Sequence, residues 1–90
     1  MTIIHDSEYI QQLFNILRMI HKDKPSITKK FEQELNERLE LLKLNPYMCR
    51  QSNYFDDKLY RDLIYFGYTV IYKIEHEKIL ILEIFKWQDR

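Results

Sequence analysis

Ninety residues leave room for one domain, expected to span 1–90, and 46% hydrophobic content supplies a core that a disordered chain lacks. Lys+Arg and Asp+Glu both number 14, so the formal net charge is zero; the basic excess common in nucleic-acid binders is missing, although charge can still be segregated by face. Cys49 is the only cysteine, which excludes a disulfide framework and fits a reducing, cytoplasmic setting. No stretch has signal-peptide form or membrane-spanning length, so no membrane partner is expected.

Met1 to His5 reads as a short extended segment with Ile3 and Ile4 as its apolar content. Asp6 and Ser7 then offer side-chain oxygens suited to a helix N-cap. Ile10, Leu13, Phe14, Leu17 and Ile20 recur at helical spacing, which predicts an amphipathic helix from about 7 to 22. Pro25 fits the first turn of a second helix, where its missing N–H costs nothing. The series Ile27, Phe31, Leu35, Leu39 and Leu42 carries that helix to about Leu44, because Pro46 disfavours a helical Asn45. Glu34 and Arg38 stand four apart in the favourable order for a helical ion pair. So short a link between the helices predicts an antiparallel hairpin.

From Tyr47 to Lys58 the periodicity disappears, and Arg50, Gln51, Ser52, Asn53, Asp56 and Asp57 suggest an exposed loop. With Tyr47 and Met48 beside it, Cys49 reads as a half-buried packing residue rather than a nucleophile. Leu59 to Tyr65 is an extended candidate ended by Phe66-Gly67. Tyr68, Val70, Tyr72 and Ile74 then alternate with Thr69, Ile71 and Lys73, as in a half-buried strand. After the polar turn Glu75–Lys78, Ile79 to Phe85 is almost continuously apolar, as a central strand buried on both faces would be. The expected architecture is α+β: a short N-terminal strand, an antiparallel helix hairpin, and a three-stranded antiparallel meander packed against the helices.

Four segments in this order resemble the ParE/RelE superfamily of bacterial toxins. Leu42-Lys43-Leu44-Asn45-Pro46 is similar to the leucine-x-x-asparagine-proline helix ending of that family. Leu59–Leu63 resembles its strand with a central arginine, here Arg61, and Tyr68–Ile74 its aromatic and β-branched strand. Ile79–Phe85 matches its last strand. The resemblance implies the toxin of a type II toxin–antitoxin pair, neutralised by an antitoxin protein that wraps it with a helix and extended segments. ParE-like members inhibit DNA gyrase, whereas RelE-like members cut messenger RNA in the ribosomal A site, and fold alone does not choose between them. It also points to Tyr60, Arg61, Tyr72, Lys86, Trp87 and Arg90 as residues that bind target or antitoxin.

Cleavage of RNA by its own 2′-hydroxyl needs a base, a cation for the charged phosphorane and an acid for the leaving oxygen. Arg61, whose planar fork can grip phosphate, is the candidate cation; a salt bridge to a neighbouring carboxylate is an equally good use for it. Lys86 stands where many relatives carry histidine, and an ordinary lysine is a poor base near neutral pH. Lys58 or Arg50 would complete a nuclease inventory. Trp87 can stack on a base or anchor against the sheet or the antitoxin. His21 closes a helix, where the dipole favours it, and His76 is a turn residue between Glu75 and Glu77. No histidine or cysteine pair has metal-ligand spacing and there is no glycine-rich phosphate loop, so no metal and no cofactor is expected. The expectation is a gyrase-inhibiting toxin rather than an enzyme. The alternatives are a metal-independent endoribonuclease acting on mRNA at the ribosome through Arg61 and Lys86, and an inactive module that binds only an antitoxin-like peptide.

Overall fold

The computed structural model describes residues 1–86, in the order β1 (Thr2–His5), α1 (Ser7–Asp23), α2 (Pro25–Leu41), β2 (Arg50–Gln51), β3 (Tyr60–Tyr65), β4 (Tyr68–Glu75) and β5 (Lys78–Lys86). Asp6 caps α1, its carboxylate accepting from the Glu8 N–H at 3.1 Å. Regular helix ends at Leu41, three residues before the expected point. Leu42, Lys43 and Leu44 there donate to carbonyls three residues back, at 3.0, 3.2 and 3.1 Å. That tighter turn swings the buried Leu42 into the core while leaving Leu44 in solvent. Glu34 and Arg38 converge on one ring instead of on each other: Glu34 accepts from the Tyr65 hydroxyl at 2.7 Å, and Arg38 lies 5.0 Å over the Tyr65 ring.

The sheet has five strands in the order β1-β5-β4-β3-β2. The meander β3-β4-β5 is antiparallel, as its short connections require, and β1 adds parallel to β5 through the Ile3↔Ile79 register, so the sheet is mixed. The β3–β4 connection is a two-residue turn with both φ values positive, +51° at Phe66 and +82° at Gly67, the geometry that follows strand twist in a tight hairpin. Only glycine adopts the second value freely, which gives the chain's single glycine its use.

Alternation along β3 and β4 divides the sheet into two faces. Leu63, Tyr65, Tyr68, Val70, Tyr72 and Ile74 turn to the helices, where Tyr9, Phe31, Leu35, Leu39 and Leu42 complete the core. Asp62, Thr69 and Ile71 turn the other way and are also buried. The segment expected as an exposed loop supplies their cover. Tyr54 meets the Phe85 ring edge-on at 5.3 Å, Phe55 stacks on Tyr60 at 4.2 Å, and Ser52 is buried. Hence β4, expected to be half-buried, is dry on both faces from Tyr68 to Tyr72. In contrast β5, expected to be dry on both, buries only Ile79, Ile81 and Ile84 fully. The three-residue step from Ile81 to Ile84 is a bulge. Ile71 pairs with Glu83 and Tyr72 with Ile81, so Leu82 is the extra residue. Among the described residues no helix is long and apolar enough to cross a membrane.

Two consequences can be measured. Leu35 is fully buried between the helix and the sheet, so Leu35→Ala should lower unfolding free energy by about 2–5 kcal/mol in urea titrations. Burial, with Glu32 near the first and a bond to Glu34 on the second, pushes the Tyr9 and Tyr65 hydroxyls up to about 12 from an ordinary 10.0. The folded state thus holds these protons more tightly than the unfolded chain does. Their contribution is complete below about pH 10 and is lost as pH rises toward about 12. Urea midpoints should fall across that window, with tyrosinate absorbance appearing at unfolding rather than before it.

Candidate functional site

The polar residues singled out by sequence gather where the segment 46–58 meets the end of the sheet. Arg61 and Tyr72 are register partners on β3 and β4 and share the helix-side face. Arg61 donates from Nε to the Lys58 carbonyl at 2.9 Å and from Nη1 to the Cys49 carbonyl at 3.1 Å, with its guanidinium 4.9 Å over the Tyr47 ring. Tyr72 is fully buried and donates its hydroxyl to the Pro46 carbonyl at 2.7 Å. Together they tie down three carbonyls of a segment that has little ladder of its own. The two arginine bonds are charge-assisted, and the Cys49 and Pro46 carbonyls are met in partly buried surroundings, where leaving an acceptor unpaired costs more.

The neighbouring carboxylate is used by a different arginine. Asp62 faces the opposite side of the sheet with its side chain fully buried. Its Oδ2 accepts from Arg50 Nε at 3.4 Å and Nη2 at 3.3 Å, and from the Asn53 N–H at 3.0 Å. The Arg50–Gln51 bridge of β2 to Asp62 and Arg61 holds this cluster in register. Sequence reasoning missed the Arg50–Asp62 pair. The visible signal was an acidic residue inside an otherwise apolar strand, which needs a cation when buried. Cys49 is half-buried against the core as expected, and burial pushes its thiol up, away from the reactive thiolate.

Tyr60 is partly exposed, with Phe55 stacked on it and Lys73 Nζ 5.4 Å from its ring centre. Lys58 is exposed beside the arginine whose side chain it accepts from. Lys86 lies elsewhere. It pairs with Tyr68 in the ladder, its Nζ 5.9 Å from that ring, and rims a shallow groove of about 230 Å³ with Gln12, Ile16, Met19 and Ile84. Gln12 closes the groove's floor, its Oε1 accepting from the Ile84 N–H at 2.7 Å beyond the end of β1. Because Arg61 aligns with Tyr72 and Lys86 with Tyr68, the two cations are displaced by four residues, about 13 Å, along the strands. Two strand spacings add about 10 Å across, for a Cα separation of roughly 16 Å. The head groups also have different partners: the Arg61 guanidinium the Lys58 and Cys49 carbonyls, the Lys86 ammonium the Tyr68 ring. Trp87 and Arg90 lie outside the described residues. Among those described, no three His, Cys, Asp or Glu side chains stand close enough to hold a metal ion.

The family described as ParE toxin of type II toxin-antitoxin system, parDE, matches residues 3–89. A solved structure described as the chromosomal ParDE TA system from P. aeruginosa superposes with a TM-score of 0.78. It covers 96% of this chain and 95% of its own at 16% identity, a likeness of fold. No curated protein matches the sequence.

The clamp makes separable demands on stability. Tyr72→Phe should cost about 1 kcal/mol and speed amide exchange across 46–58 while leaving the helices protected. Arg50→Ala strands the Asp62 carboxylate and should cost more, about 2 kcal/mol after allowing for the half-exposed arginine. Equal and negligible losses in both variants would remove the clamp from the account.

Proposed function

The chain belongs to the ParE toxin family of type II toxin–antitoxin systems, and on that premise we propose that it arrests bacterial growth by binding DNA gyrase in the cytoplasm rather than by cutting RNA. A cognate antitoxin protein covers the binding surface and silences it. The observation that carries this reading is the division of the two candidate catalytic cations. Arg61 spends its guanidinium on the Cys49 and Lys58 carbonyls, and Lys86, two strands over and four register positions along, points its ammonium at the Tyr68 ring. A nuclease needs base, cation and acid around one phosphate. A binding protein needs exposed anchors, and α1 offers Ile10, Phe14 and Met19, each more than half exposed, with Phe66 beyond them at the β3–β4 turn. Tyr60, Lys86, Trp87 and Arg90 remain the other contact candidates. Tyr72 is fully buried and offers no contact surface of its own.

The test sets the purified protein against gyrase supercoiling and against mRNA on translating ribosomes. Supercoiling should stop while the message stays intact; cleaved message with supercoiling untouched would assign the chain to the ribosome-dependent nucleases. In the gyrase case Arg61→Ala should weaken growth arrest in proportion to its loss of stability, and a compensating stabiliser elsewhere should restore much of it. In a nuclease the same variant would abolish arrest while folded.

A further inference from the structure

The helix hairpin divides its charge end to end. From Arg18 to Lys30, where α1 finishes and α2 begins, Arg18, Lys22, Lys24, Lys29 and Lys30 face only Asp23, a net charge of +4. The remainder of the hairpin, 6–17 with 31–44, sets Asp6, Glu8, Glu32, Glu34, Glu37 and Glu40 against Arg38 and Lys43, a net charge of −4. All five tip cations are exposed. Among the described residues their one ion pair is Lys30 with Glu34, at 4.0 Å.

Helix dipoles explain only part of this. The C-terminal end of α1 favours His21 and Lys22, in its last turn. The N-terminal end of α2 favours anions, yet its first turn holds no acidic residue, its cap has no side-chain bond, and the cap residue is Lys24. Lys30 pairs with Glu34 and Lys29 lies beside Glu32 and Glu37, whereas Arg18, Lys22 and Lys24 have no ion pair among the described residues. An external anion would therefore find cations that the chain leaves to solvent.

We propose that the hairpin tip is a docking surface for the phosphate backbone of double-stranded DNA. Phosphates are met by lysine and arginine, by serine and threonine hydroxyls and by helix N-termini, and the tip combines four lysines, an arginine, Ser26 and the first turn of α2. Protein interfaces are depleted in lysine, which argues against an acidic protein segment as the occupant. From Asn15 to Lys30 there is no Phe, Tyr or Trp, and the exposed rings at the tip's margins, Phe14 under the Arg18 guanidinium and Phe66 beside Lys30, flank the cations rather than lie among them. Backbone contact without sequence reading is what remains. The overall neutrality of the chain hides this patch because the rest of the hairpin cancels it. The inference goes beyond the gyrase assignment and is measured without gyrase, so either can fail alone.

The experiment is fluorescence anisotropy of a short labelled duplex titrated with the purified chain at several salt concentrations. Contacts to about four phosphates give a slope of log K against log salt of about −3.6. Lys24→Gln/Lys29→Gln should reduce that slope by about 2 and weaken low-salt binding about tenfold or more. Lys43→Gln/Lys78→Gln removes the same charge from other exposed positions and should change affinity less than about twofold. Absence of duplex binding at low salt, or equal losses in the two double variants, overturns the proposal. So does displacement by polyglutamate as effective as by unlabelled duplex, since the occupant would then be an acidic protein.

Discussion

Strand β4 is buried on both faces from Tyr68 to Tyr72, and a two-helix hairpin can cover only one of them. In so short a chain no third helix is available, so a segment with almost no regular structure must serve as the second lid. The aromatic side chains Tyr54 and Phe55 give that segment its grip on Phe85 and Tyr60. Its backbone is a harder problem, because carbonyls brought near a core need donors. Arg61 and Tyr72 supply them from the helix side, and the Asp62–Arg50 pair fastens the other side. The sheet, the segment and the end of the core thus depend on one polar clamp.

That dependence bears directly on function. Arg61, the candidate catalytic cation of the sequence, is engaged in architecture once folded, with Tyr72 and Cys49 beside it. Arg61 is occupied, Tyr72 is out of solvent, and burial turns the Cys49 thiol away from nucleophilic use. What the fold leaves available is surface: apolar side chains along α1, an exposed Phe66, and a charge-divided hairpin. These are the resources that the proposed docking on gyrase would draw on.

The helices were legible because a 3.6-residue period shows in sequence without any tertiary information, and Asp6 and Pro25 mark where they start. The meander was legible from alternation and from Phe66-Gly67. Burial of the two long strands was read in the wrong order for a physical reason. The bulge at Leu82 shifts the alternation of β5, so a strand buried on one face looks continuously apolar. Meanwhile β4 acquires its second cover from a segment whose polar composition concealed Tyr54 and Phe55. The candidate site was partly legible: Arg61 and Tyr72 stand together, whereas Lys86 belongs to a different end of the sheet. Which carboxylate takes which arginine is set by facing, which depends on register, and register cannot be counted from one strand alone.

The most direct measurement follows DNA and protein synthesis by pulse labelling in one bacterial culture after the chain is induced without an antitoxin. A toxin that docks on gyrase stops DNA synthesis first, with filamentation and with protein synthesis preserved. A prompt fall in protein synthesis while DNA synthesis continues would contradict the account and return Arg61 and Lys86 to catalytic roles.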